Sequence, residues 1–188
     1  DHNRPATIIQ HTFGIPANLD RLLDIAGRNK IPVIEDCCHT IGSQYRGRVV
    51  GTFGSASFYS FEWGKPIVAG IGGGLQVNDP ILRKRIDADY VRYRLPPWTK
   101  QLRLALQYAA HKMLYRPSFY WTLRSIYHRL GKVGLAESNY HAINTNKRLP
   151  QEFEMKMASR QESLVRKKLK SLANLTDKAL AITREYRD

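Results

Sequence analysis

The stretch from Ile31 to Asp79 holds the residues best suited to chemistry. The apolar run Ile31-Pro32-Val33-Ile34 ends in Glu35 and Asp36, so a buried strand here delivers a carboxylate at its C-terminal end. That end of a strand is where open α/β sheets bind ligands, which makes Asp36 a candidate site residue. Farther on, Ser55 to Phe61 alternates small and aromatic residues as a strand does, then runs into the tight segment Gly64-Lys65-Pro66. Between Gly51 and Asn78, Lys65 is the only basic residue. A lone lysine beside glycine and apolar neighbours is a setting in which an amine turns nucleophilic.

Several elements must position these groups. Thr7-Ile8-Ile9-Gln10 reads as a strand, and Asn18 stands as an amino-terminal cap before the helical stripe Leu19, Leu22, Leu23 and Ala26. Gly27 to Lys30 closes that helix, giving a βαβ unit with Ile31 to Asp36 as its second strand. The glycine tract Gly70 to Gly74 opens a strand, Leu75 to Asn78, and so reads as a turn, not a phosphate loop. Asp79-Pro80 then caps and starts a helix through Ile81, Leu82, Ile86 and Tyr90. Past the break at Leu95-Pro96-Pro97-Trp98, Leu102, Leu106, Ala109 and Met113 recur at helical spacing, as do Phe119, Leu123, Ile126 and Leu130. Two amphipathic helices are expected, with Arg103, His111, Lys112, Arg124, His128 and Arg129 on their other faces. Near the end, Leu164, Leu169, Leu172, Leu175 and Leu180 can form one buried helical face, and the run Arg166 to Lys170 a solvated one.

The totals bound the class of protein. The chain has 188 residues, 43% of them hydrophobic and 10% aromatic, a globular composition long enough for a sizeable core. Its two cysteines, Cys37 and Cys38, are adjacent, offer no metal-spaced pair and suit a reducing compartment. No metal is expected. No signal-like segment opens the chain and no apolar run of about 18 residues occurs, so a cytoplasmic location is expected. The missing start methionine and the direct entry into a strand suggest a piece of a longer chain. The net charge of +14 is uneven: Asp1 to Tyr90 is nearly balanced, whereas Val91 to Arg148 holds 11 basic residues and the single acid Glu137. That segment admits a helical hairpin packed on its own domain or a second subunit, or peripheral contact with a membrane face through 98–130. Nucleic acid is disfavoured, because no recognition module organises the basic and aromatic residues.

Taken in order, Glu35-Asp36-Cys37-Cys38-His39, Ser60-Phe61-Glu62-Trp63-Gly64-Lys65 and Gly70-Ile71-Gly72-Gly73-Gly74 resemble the centre of the pyridoxal-phosphate-dependent sugar aminotransferases of the DegT/DnrJ type. His11-Thr12-Phe13-Gly14-Ile15-Pro16 and the helix from Met157 match the same pattern. The resemblance implies an α/β, fold-type-I transferase large domain with a mostly parallel sheet flanked by helices. It divides the chain into a cofactor-domain part over 1–94, a basic helical insertion over 95–148 and a linking helix over 149–188. Lys65 would form the Schiff base with pyridoxal 5'-phosphate and carry the catalytic proton, and Asp36 would pair with the pyridine nitrogen. His39 would flank the ring, and Ser60 would donate its hydroxyl to the cofactor phosphate.

The expected reaction moves an amino group, from glutamate, onto a nucleotide-linked keto sugar in polysaccharide or natural-product biosynthesis, in a homodimer with shared active sites. Retention of Lys65 points to transamination, since family members that became sugar dehydratases carry histidine there. Three places depart from the family pattern: Glu154, where relatives usually place an asparagine, Glu62-Trp63, where they commonly carry His-Pro, and Ile71, usually acidic. They leave an alternative in view, a non-catalytic descendant whose basic insertion binds a membrane surface or a protein partner.

Overall fold

The computed structural model describes residues 5–116, 118, 120–132 and 154–186. Phe119, the opening Asp1 to Arg4 and the end of the expected insertion lie outside the described residues, as do the side chains of Leu123 and His128. Strands β1 (Thr7–Gln10), β2 (Val33–Asp36), β5 (Ala56–Ser60) and β6 (Gly73–Val77) form one sheet in the order β1-β2-β5-β6. The first three are parallel, and β6 returns antiparallel to β5. Helix α1 (Leu19–Arg28) makes the β1–β2 crossover, capped by the Asn18 side chain, which accepts the N–H of Arg21. A small hairpin, β3 (Gln44–Tyr45) and β4 (Arg48–Val49), turns through Arg46 and Gly47, both at positive φ.

The sheet packs on two cores. Ile9, Val33 and Cys37 meet Leu19 and Ala26 of α1, whereas Phe61, Ile67 and Ala69 meet Val165 of α5 (Ser159–Lys170). Helix α2 (Pro80–Arg92) starts as expected: Asp79 Oδ1 accepts the N–H of Ile81 at 2.7 Å and of Leu82 at 2.9 Å. The two helices expected after the proline break are α3 (Trp98–Leu114) and α4 (Tyr120–Lys132). The expected linking helix is divided at Ser171 into α5 and α6 (Leu172–Glu185).

Two expectations about helix faces are corrected. The leucines expected to share one buried face do not: Leu164 and Leu172 pack on the core, whereas Leu169, Leu175 and Leu180 are exposed. Within the basic run, Lys168 is not solvated, because its ammonium donates to the carbonyl of Val68 at 2.9 Å and lies over the Tyr108 ring.

One buried carboxylate ties the parallel strands together. Glu35 is fully buried and accepts four hydrogen bonds. The N–H groups of Phe53 and Gly54 reach Oε1, and that of Gly51 reaches Oε2, each at 2.7 Å. The fourth partner is His11 Nε2, at 3.2 Å from Oε2. His11 Nδ1 accepts the N–H of Ala17 at 3.0 Å, so the ring proton resides on Nε2 and points at Glu35. Asn78 Nδ2 holds the other side of the same turn through the carbonyls of Gly51 and Gly54. At Gly54 no side chain fits, since an added Cβ would stand 2.5 Å from the carbonyl oxygen of Val33.

Removing the acceptor strands these donors in the interior. Glu35→Ala is therefore expected to lower the unfolding free energy by about 3–5 kcal/mol. Urea titration followed by circular dichroism measures it, and a loss below about 1 kcal/mol, the net worth of a single ordinary hydrogen bond, would contradict the role given to Glu35.

Candidate active site

Strand alternation sends Glu35 and Asp36 to opposite faces, Glu35 towards α1 and Asp36 away from it. Asp36 is the last residue of β2, paired with Gln10 and Phe58, and its Oδ1 accepts the N–H of Cys38 at 3.0 Å. Ser60 ends β5 two residues beyond Phe58 and so shares the Asp36 face. Its Oγ accepts the N–H of Glu62 at 3.4 Å. Both groups therefore stand at the C-terminal ends of adjacent parallel strands.

Lys65 sits half-buried in the loop between β5 and β6. Two backbone bonds close the base of that loop, Ala69 N–H to the Phe61 carbonyl at 2.8 Å and Phe61 N–H to the Gly72 carbonyl at 2.9 Å. A turn at its far end, Lys65 N–H to the Glu62 carbonyl at 3.1 Å, uses Gly64 at φ 84°. Helix α5 fixes the return limb: Gln161 Nε2 donates to the carbonyls of Ala69 and Ile71 at 2.9 and 2.8 Å, beside the Lys168 bond to Val68. From the other side α3 presents His111, whose ring lies 4.9 Å from that of Trp63. Burial lowers the His111 pKa, with the Lys168 charge adding to the effect.

Cys38 reports which of these groups meet. Its thiol pKa is pushed up to about 11, first by burial, then by its hydrogen bond to Asp36 and the charge of that carboxylate. The charge of Lys65 and a backbone hydrogen bond from Ser60 oppose the rise. Of these groups only Asp36 bonds directly to Cys38, through its backbone N–H; Lys65 acts on the thiol as a charge and Ser60 through its backbone. His39, the next residue, packs its ring on Phe13 at 5.6 Å, and its carbonyl accepts the N–H of Gly14. Of the departures, Glu154 is exposed, Trp63 packs against His111, and Ile71 serves through its carbonyl, held by Gln161.

Sequence reasoning missed several supports of the site. Glu35 and His11 were visible as residues, but nothing in their spacing announces a buried pair. Cys38 gave no signal beyond its place between Asp36 and His39. Gln161 and Lys168 bond to carbonyls about ninety and a hundred positions away, a partnership only the folded chain discloses.

His11, Glu35 and Cys37 bring three potential ligand atoms within 4.8 Å of one another, yet their chemistry opposes a cation. Glu35 is already saturated by N–H donors, and Cys37 is kept as a thiol, its pKa raised to about 12 by burial and then by the Glu35 charge. A separate cleft of about 600 Å³ lies between the sheet and α5–α6, lined by Ile41, Tyr59, Phe61, Leu169, Leu172 and Thr176 among others, and by none of the four candidate residues.

A mostly parallel α/β sheet flanked by helices is the architecture of fold-type-I aminotransferases. An aminotransferase from Psychrobacter cryohalolentis shares the fold, with a TM-score of 0.55 over 90% of this chain and 34% of that one, at 22% sequence identity. The model of the DegT/DnrJ/EryC1/StrS aminotransferase family matches residues 1–188, and the chain belongs to that family. Its similar proteins include the L-glutamine:scyllo-inosose aminotransferase of Streptomyces griseus, 42% identical over 42% of this chain and 18% of that protein. GDP-perosamine synthase of Escherichia coli O157:H7 is 39% identical over 43% of this chain and 22% of that one. The chain thus spans about a fifth of the length of the curated relatives it matches.

The position of Cys38 gives a test of the cluster that needs no catalysis. Asp36→Asn removes the two carboxylate effects that favour the thiol, so the Cys38 pKa should fall from about 11. Lys65→Met removes the cation that favours the thiolate, so it should rise. The pH dependence of Cys38 alkylation by iodoacetamide, in a Cys37→Ser background, reads both shifts, and unmoved profiles would separate the three residues.

Proposed function

We propose that the protein is a pyridoxal-phosphate-dependent aminotransferase acting on a polyhydroxylated ketone, most simply a nucleotide-linked keto sugar. Glutamate or its amide, the donor class written into the name of the inosose relative, supplies the amino group. The observation that carries this reading is the placement of Asp36 and Ser60 on one face at the C-terminal ends of adjacent parallel strands, with Lys65 in the loop that follows β5, in a chain of an aminotransferase family. The donor set fits the cofactor: an amine for its aldehyde, a carboxylate for its ring nitrogen, a hydroxyl for its phosphate and an imidazole for its ring. When bound, pyridoxal phosphate supplies an electron-poor ring that stabilises negative charge on the carbon that loses a proton.

The protein's own residues do the rest. Lys65 is the amine that holds the aldehyde and takes up and returns the proton. Asp36, its Oδ1 already fixed by the N–H of Cys38, keeps its remaining acceptor capacity for the ring nitrogen. Ser60 donates to the phosphate, and His39 flanks the ring. The loop bonds from Gln161 and Lys168 hold the return limb of the lysine loop, so that Lys65 is positioned before anything binds. A homodimer with shared active sites is the working unit this family resemblance carries with it.

On the intact protein, pyridoxal phosphate should give a visible absorption band that borohydride abolishes, leaving the cofactor attached to the peptide containing Lys65. Lys65→Ala should lose both the band and the adduct while keeping its circular dichroism. A folded protein that takes no label at Lys65 would overturn the reading.

A further inference from the structure

Helix α3 carries its faces in the reverse of the usual order. Its inner arc, set on the lysine loop and α5, holds Lys100, Gln101, Leu104, Gln107, Tyr108 and His111, of which only Leu104 is fully buried. At about 100° per residue, Trp98, Leu102, Leu106, Ala109 and Met113 fall in one narrow arc on the far side. Those side chains are exposed: 72% for Trp98, 51% for Leu102, 62% for Leu106 and 71% for Met113. A continuous apolar stripe along a helix of 17 residues is not an ordinary solvent face. Helix α4 adds Trp121, 70% exposed, with Arg124 over its ring, and exposed Ile126 and Arg129.

The charge on these helices selects what covers them. From Trp98 to Lys132 the sequence has seven lysines and arginines and neither aspartate nor glutamate. Lys112 borders the α3 stripe, and Arg116 lies exposed just past the helix end. The core of a protein–protein interface is depleted of lysine, and a second copy would bring the same positive charge against itself. An anionic bilayer surface meets all three features: acyl chains for the leucines, the headgroup layer for the tryptophans, and lipid phosphates and carboxylates for the cations. Among the described residues no helix is long and apolar enough to cross a membrane, so the stripe would lie on the surface.

We propose that α3 and α4 form a docking surface for an anionic lipid bilayer, with α3 lying in the interface on its Trp98–Met113 stripe. Because the opposite face of α3 touches Trp63, two residues from Lys65, docking brings the lysine loop within about one helix diameter, roughly 10 Å, of the headgroups. The surface stands apart from the aminotransferase reading and survives if that reading fails.

The test is co-sedimentation of the intact protein with phosphatidylcholine vesicles and with mixed phosphatidylcholine–phosphatidylserine vesicles. Retention on the mixed vesicles alone, weakened by salt and accompanied by a blue shift of tryptophan fluorescence, is expected. Arg124→Gln with Arg129→Gln should lower partitioning by about five-fold per residue. The outward pair Leu106→Glu and Met113→Glu should abolish it with circular dichroism unchanged. Should that pair unfold the protein, the arginine variants and the wild-type fluorescence still decide. Equal retention on neutral vesicles, no retention, binding indifferent to all four substitutions, or a lipid-free self-association lost in Leu106→Glu would overturn the proposal.

Discussion

The carboxylate of Glu35 is the interaction on which the rest of the sheet depends. A carboxyl group in a dry interior is tolerable only where donors replace the water it gave up, and Glu35 has four of them. They come from two places far apart in sequence, the end of β1 through His11 and the turn from Gly51 to Gly54. Satisfying one side chain therefore fixes how β1, β2 and the approach to β5 sit against one another. A slip of β2 by one residue would turn Glu35 to the opposite face and leave three backbone N–H groups without an acceptor. Cys37 completes the inward row after Val33 and Glu35, and its raised pKa keeps a second negative charge away from the carboxylate.

Fixing Glu35 also fixes Asp36. Two consecutive acids at the end of one strand have opposite surroundings solely because side chains alternate, one buried under N–H donors and the other presented at the edge of the sheet. The second half of the site is positioned differently. Lys65 lies in a loop whose return limb has its carbonyls of Val68, Ala69 and Ile71 bonded to side chains of α5. The carboxylate is thus set by the sheet and the amine by a helix from the other end of the chain, so the site needs both ends of the chain folded together.

What the sequence made legible follows from what is local. The βαβ unit, the caps at Asn18 and Asp79 and the strand runs each rest on neighbouring residues, and the structure has them; the glycine turn is shorter than expected, since Gly73 and Gly74 already belong to β6. The family could be read from the order of Asp36, His39, Ser60 and Lys65. Long-range partnerships were not legible. Periodicity treats His11 as a lone histidine and Gln161 as a helix-surface amide, although each is committed to a residue brought near only by folding. Nor does a leucine stripe say where a helix breaks or which of its members find a partner: α5 ends at Ser171, Leu164 and Leu172 pack on the core, and Leu169, Leu175 and Leu180 are exposed. Periodicity likewise found the apolar arc of α3 without telling that the polar arc would be the one facing inward.

That inversion connects the site with the surface. Where α3 meets the lysine loop it presents His111 beside Trp63, and burial and the nearby Lys168 charge both disfavour protonation of that ring. Lys168 is itself occupied by the Val68 carbonyl and the Tyr108 ring. Lys112, Arg116, Arg124 and Arg129 are left on the exposed side. Packing His111 and Tyr108 inward, against Trp63 and Lys168, leaves the apolar arc from Trp98 to Met113 on the outside of the helix.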